Sequence, residues 1–197
     1  MKCLYTNANS VLGKMQELRQ RMQDFDVVGI TETWATGGIN DAEISVDGFN
    51  FYRLDREGMV GGGLLVYVND QLDSSLCLEM MDSEFKEALW CNIRTATGVV
   101  LIGLCYRSPS SSATNNDHLL DMFRAAMNRS KVSHVMIFAD FNYPDIDYWH
   151  DMVAAGDDAP SAKFFHTTQE LFLRQCVCRS QQDFDRISTP QLWTMYL

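Results

Sequence analysis

A packed α/β sandwich is the fold class that this 197-residue sequence predicts, and three observations point to it. Short apolar, β-branched runs recur along the chain, and amphipathic helical segments separate several of them. The trio Gly61-Gly62-Gly63 marks a turn between two of the runs, where a doubly wound parallel sheet would need a crossover helix. At 46% hydrophobic, the chain is long enough to bury one substantial core and short for two.

Residues 2–6 form a short first strand candidate. Asn9 or Ser10 is a cap candidate for a helix in which Val11, Met15, Leu18, Met22 and Phe25 recur at steps of four and three, one face of an amphipathic cylinder. The runs at 27–30, 64–68, 99–104 and 132–138 read as strands, and the second of them is expected to pair antiparallel with residues 49–53. Residues 108–116 are polar and loop-like. A second helix is expected to open at Asn116 or Asp117 and to carry Leu119, Leu120, Phe123 and Met127 inward. A third starts near Ser161, after Pro160, with Phe164, Phe165, Thr168, Leu171 and Phe172 on its inner side. Residues 174–178 suit a last short strand, and 179–197 show no sustained period. The domain is therefore expected over 1–175, with an atypical tail over 176–197.

The formal net charge of −10, from 16 basic and 26 acidic residues, argues against tight non-specific binding of nucleic acid. It does not exclude a phosphoester enzyme, because carboxylates gathered around a divalent cation are negative by construction and the metal reverses the local sign. No apolar run approaches the roughly 18 residues of a membrane helix, and the first residues turn polar too soon for a signal peptide. The six cysteines, at 3, 77, 91, 105, 176 and 178, make neither a CxxC pair nor a disulfide framework. An intracellular, non-secreted protein without membrane attachment is expected, and a monomer.

The functional signal lies at Phe138-Ala139-Asp140-Phe141-Asn142, where an apolar strand run ends on a carboxylate and an amide. Alone, this stretch reads as an ordinary Asx/Pro turn. Three other runs share the design, with Asn7 after 2–6, Glu32 after 27–31 and Tyr106 after 99–105. Singly, each has a bland explanation as a helix cap, a solvated acid or a turn anchor. Jointly they supply a metal carboxylate, a water-orienting carboxylate and neutral donors for phosphate oxygens.

These stretches resemble the motifs of the endonuclease/exonuclease/phosphatase superfamily, and within it the endonuclease domain of non-LTR retrotransposons. Tyr5-Thr6-Asn7-Ala8-Asn9-Ser10 is similar to the opening strand motif, Ile30-Thr31-Glu32-Thr33-Trp34 to the metal-carboxylate motif, and Cys105-Tyr106-Arg107-Ser108-Pro109 to the tyrosine motif. Phe138 to Asn142, continuing through Tyr143-Pro144-Asp145-Ile146-Asp147, is similar to the Gly-Asp-Phe-Asn motif with the retrotransposon extension. The resemblance implies a four-layer α/β sandwich with mixed, largely antiparallel sheets, and metal-dependent phosphodiester hydrolysis that nicks target DNA in the nucleus. It implies that Glu32, with Asn7 beside it, holds Mg2+ or Mn2+, that Asp140 orients or deprotonates the attacking water, and that Asn142 and Tyr106 hydrogen-bond the phosphate.

The resemblance breaks at the final Ser-Asp-His motif. His118 follows the tyrosine motif at an expected helix start, His134 lies in a strand run, His150 in a loop and His166 in a helix. Asp183 to Ile187 is a remote substitute for the aspartate strand preceding that motif. Ala139 also replaces the family's glycine, which is strained if the position needs a positive φ and tolerable if it needs only close packing. The expectation is a C-terminally truncated or frame-shifted copy, incomplete at that end of the fold, with activity severely reduced or absent. The alternatives are a catalytically dead remnant, or a phosphatase or phosphodiesterase of a small-molecule or lipid phosphoester.

Overall fold

The computed structural model describes residues 1–56, 61–148, 150–176 and 191–196. Two sheets face each other. In the first, β2 (Val27–Thr31) runs parallel to β1 (Cys3–Asn7) and antiparallel to β4 (Leu64–Asn69), which pairs antiparallel with β3 (Phe49–Leu54). With a neighbour on each edge and a core against each face, β2 is buried at all five positions. Its lack of alternation follows from this placement. The antiparallel pairing of β4 with residues 49–53 is the one the glycine trio predicts.

The second sheet has the order β11-β12-β8-β7-β6-β5, with β5 (Asp73–Leu76), β6 (Ala88–Thr95), β7 (Gly98–Tyr106), β8 (Val132–Asp140), β11 (Arg174–Gln175) and β12 (Gln191–Tyr196). Among the described strands only β7 and β8 run parallel in it, joined by α4 (Ala113–Met127). The local sequence does not reveal β6, because its two faces feed different cores. Leu89, Cys91 and Ile93 face the opposite sheet, while Ala88 and Trp90 face the helices. Trp90 lies across the adjacent strand at Gly103, where a Cβ would come within 2.5 Å of the indole ring.

Three apolar clusters define four layers. Tyr5, Val66, Leu104 and Phe138 belong to the core between the sheets. Outside the first sheet, α1 (Met15–Arg21) and the 3-10 turns flanking it bury Met15, Leu18 and Met22 against Val28, Ile30 and Tyr67. Outside the second, α4 and α5 (Pro160–Glu170) bury Phe123 and Phe164 against Val135 and Phe141. The molecule is a four-layer α/β sandwich with mixed, largely antiparallel sheets. Short elements complete it: α2 (Asp41–Ile44), α3 (Leu78–Met81) and a hairpin of β9 (Ile146–Asp147) with β10 (Met152–Val153).

Several local expectations change. Neither Asn9 nor Ser10 caps the first helix; both adopt left-handed backbone (φ 46° and 81°), and the Asn9 N–H donates to Asn7 Oδ1 instead. Helix α4 opens three residues before Asn116, capped by Ser112, whose hydroxyl accepts the Asn115 N–H at 3.1 Å. Phe172 lies beyond the end of α5 in left-handed backbone and is 75% exposed, so it is not on the inner face. Residues 191–196, where the sequence shows no period, form β12 between β8 and β11. The candidate at Asp183 to Ile187 lies outside the described residues. Among the described residues no helix is long and apolar enough to cross a membrane, and Cys3, Cys77, Cys91, Cys105 and Cys176 are free thiols.

Candidate active site

Two parallel strand pairs, one in each sheet, carry their carboxyl ends to the same rim: Asn7 and Glu32 from β1 and β2, Tyr106 and Asp140 from β7 and β8. Register places Asn7 beside Thr31 and Tyr106 beside Asp140. Across the rim the Asn7 amide donates to Asp140 Oδ2 at 3.4 Å, and Tyr106 hydrogen-bonds the Glu32 carboxylate. All five residues singled out from the sequence, Asn142 included, therefore meet at one place.

Glu32 sits one residue past β2 in left-handed backbone, φ 54°. Its Oε2 accepts two donors at 2.8 Å, the Trp34 indole N–H and the Gly62 backbone N–H. The glycine trio thus has a function beyond turning the chain. Gly61, Gly62 and Gly63 all have positive φ, and a Cβ on Gly62 would fall 2.6 Å from Arg56 Cδ. Burial by itself would raise the Glu32 pKa, but the bonds from Tyr106, Gly62 and Trp34 and the nearby Arg56 charge together hold it below the ordinary carboxylate range.

Asp140 behaves oppositely. Burial lifts its carboxyl above the ordinary range, and the negative charge of Glu32 adds to this, against the stabilising bonds from Asn7 and from the backbone and side chain of Asn142. Two carboxylates at one rim with displaced affinities for a proton suit different tasks. The Tyr106 phenol is also pushed up, by burial and then by its bond to Glu32, so it stays a neutral donor. Asn142 takes φ 52° and donates its amide to the Arg107 carbonyl at 2.9 Å. Left-handed non-glycine residues at Glu32, Trp34 and Asn142 concentrate backbone strain at this rim. Ala139 lies within β8, fully buried and outside the left-handed region, so close packing is what the position requires.

Three residues here escaped the sequence reading. Arg56 pairs with Glu87 at 3.4 Å, and Glu87, immediately before β6, accepts the Tyr106 N–H on its carbonyl. Burial raises the Glu87 pKa, Arg56 opposes this and Glu32 adds to it. Nothing in the local sequence around Arg56 or Glu87 signals that the fold delivers them here. Trp34, 40% exposed, stands in the same five-residue motif as Glu32, which was the available clue.

None of the four histidines reaches the rim from its own element. His118 lies in α4, His166 in α5, His134 six residues before Asp140 on β8, and His150 pairs with Asp147 at 2.7 Å. Among the described residues no group of three or more His, Cys, Asp or Glu side chains could enclose a metal. The donors at the rim are the oxygens of Glu32, Asp140 and Asn7. Such a set fits a hard cation that keeps several waters, as Mg2+ does, and lacks the nitrogen and sulfur ligands of a zinc site.

The chain belongs to the Endonuclease/Exonuclease/phosphatase family, a family of hydrolases, whose sequence profile it matches over residues 4–193. Among solved structures it is similar to the endonuclease domain of TRAS1, a telomere-specific non-LTR retrotransposon, with a TM-score of 0.67 and 15% identity, covering 98% of this chain and 83% of that one. The 3' phosphatase NExo from Neisseria, bound to a product DNA hairpin, is similar at a TM-score of 0.67, 13% identity and coverage of 98% and 86%. The AP endonuclease LMAP from Leishmania major follows at a TM-score of 0.66, 15% identity and coverage of 98% and 77%. At these identities the likeness is one of fold. No curated protein sequence matches the chain.

Proposed function

We propose that this chain is a metal-dependent phosphodiesterase that nicks DNA, of the kind that serves target-DNA cleavage in retrotransposition. The observation that carries the proposal is the meeting of Asn7, Glu32, Tyr106, Asp140 and Asn142 at one rim, with Glu32 held below and Asp140 above the ordinary carboxylate range. The similarity to the TRAS1 endonuclease domain and the Tyr143-Pro144-Asp145-Ile146-Asp147 extension favour DNA over a small phosphoester.

In this reading Glu32, with Asn7, holds Mg2+ or Mn2+, which when bound supplies charge stabilisation at the phosphate. Asp140 accepts the proton of the attacking water, as its raised proton affinity allows. The Tyr106 hydroxyl, which here bonds Glu32, and the Asn142 N–H that here bonds Asp140 would turn to phosphate oxygens as negative charge accumulates there. No imidazole joins them from the four histidines, so turnover is expected to be slower by about 10² to 10⁴ than in a site with a positioned general acid. A DNA substrate places its action in the nucleus in this reading.

The deciding assay follows conversion of supercoiled plasmid to open circles under Mg2+, at long incubation and high enzyme. Nicking that disappears with EDTA and in Glu32→Ala is the expected result; equal nicking by Glu32→Ala sinks the proposal. Release of phosphate from a 3'-phosphorylated oligonucleotide or a sugar phosphate, without nicking, would select a phosphatase instead. Trp34→Phe keeps an aromatic ring at the position and removes one of the two donors on Glu32 Oε2. It should raise the half-saturating Mg2+ concentration by about tenfold, the scale of effects from groups that orient a metal ligand; an unchanged Mg2+ titration would show that the indole N–H does not set the carboxylate's orientation.

A further inference from the structure

We propose that Arg107 is a positioning residue, whose buried guanidinium clamps the Phe141-Asn142 turn and so aims the Asn142 amide at the rim where phosphate would sit. What the amide is aimed at rests on the phosphodiesterase reading; the clamp itself does not.

Arg107 is 5% exposed and immediately follows Tyr106. Its Nε donates to Asn116 Oδ1 at 2.7 Å, in the first turns of α4. Its Nη1 donates to the carbonyls of Phe141 at 3.1 Å and Asn142 at 3.2 Å. The guanidinium carbon stands 4.0 Å from the centre of the Tyr143 ring, and the Tyr143 hydroxyl donates to the same Asn116 oxygen. The main chain of Arg107 completes the arrangement: its N–H donates to the Asp140 carbonyl at 3.0 Å, and its carbonyl accepts the Asn142 amide at 2.9 Å. One residue therefore holds Asn142 from both ends, by its carbonyl and by its side chain.

Every one of these partners is neutral, and among the described residues no ion pair to Arg107 is formed. A buried cation with no counter-charge is costly, so packing alone is a poor reason for it. What the planar fork does, and an ammonium cannot, is satisfy an amide oxygen and two carbonyls from fixed directions while lying flat on an aromatic ring. Those two carbonyls belong to the residues that follow Asp140, one of them the left-handed Asn142. The fork stabilises a turn that would otherwise relax out of that conformation and carry the amide with it.

The test uses the full chain. The side-chain amide signals of Asn142 are assigned by their loss in Asn142→Ala, and followed by NMR in Arg107→Lys. The expected result is a wild-type amide pair shifted and slow to exchange, and in Arg107→Lys a pair at the free-amide position exchanging at least about tenfold faster, with the backbone signals of β2 unmoved. That measurement needs no turnover, so a wild type without nicking activity would count against the phosphodiesterase reading and leave the clamp to be judged by the amide. Where nicking is measurable, Arg107→Lys should lower kcat by about 10- to 100-fold with little change in KM, a penalty typical of misplaced groups. The penalty should vanish in an Asn142→Ala background. An unmoved amide pair in folded Arg107→Lys, or the same fold loss with and without Asn142, overturns the proposal. If Arg107→Lys does not fold, Asn116→Ala removes the Nε acceptor and should shift the same amide pair in the same direction; an unshifted pair there overturns it equally.

Discussion

Asp140→Asn is expected to reduce metal-dependent nicking by roughly 10³-fold or more, the scale seen when one member of a catalytic unit is removed, without lowering the melting temperature. Asparagine keeps the volume of the side chain and one oxygen, enough for the Asn7 amide that bonds Oδ2 in the native site but not for every donor of Asn142 that the carboxylate also accepts. It removes a charge that burial and the neighbouring Glu32 both disfavour. Relief of that charge offsets the lost acceptor, so the substitution should leave the fold about as stable while eliminating the group that takes the water's proton, the usual opposition of stability and activity in a site of half-buried like charges. Single-turnover cleavage of a labelled duplex and calorimetry on the same preparation decide it. Nicking at the wild-type rate would remove Asp140 from the chemistry, and a melting temperature several degrees lower would mean the carboxylate is chiefly structural.

Phe141→Ala is the second large effect, and it is expected in stability. Phe141 is fully buried between the two polar residues of the site, with ring centroids 5.7 Å from Phe123 and 4.7 Å from Phe164. Truncating it should cost about 3–5 kcal/mol from lost transfer energy and the cavity left behind. In a chain of this size that lowers the melting temperature by on the order of 10 °C. The Asn142 amide signal should broaden together with the loss of stability, since the same turn rests on this ring. A loss under about 1 kcal/mol by chemical denaturation would mean that the aromatic cluster of α4 and α5 does not support the turn.

Glu32 and Asp140 need opposite surroundings, and only Glu32's were partly legible beforehand. Trp34 is in its motif and the glycine trio is conspicuous in the chain, yet the bond from the Gly62 N–H requires knowing that the loop before β4 folds back over the end of β2. For Arg56 and Glu87 the sequence offers no periodicity, cap or motif, because their role depends on which strand ends become neighbours. The same limit applies to β6, whose faces serve two cores, and to β12, whose residues become a strand through pairing with β8.

The sequence by itself determined the class of fold, most of the strands, the helical faces at Val11 to Met22 and Leu119 to Phe123, and the five polar residues at strand ends. Each of these is a local property: the alternation or run of side chains records the period of the element, and a polar residue ending an apolar run records where that element reaches water. Only the tertiary structure decided that the rims of two sheets coincide, that Glu32 is held by an indole and a glycine N–H while Asp140 is crowded by Glu32, and that Arg107 holds the turn bearing Asn142. Those are relations between residues far apart in the chain, set by how the sheets face each other, and no local pattern of side chains records them.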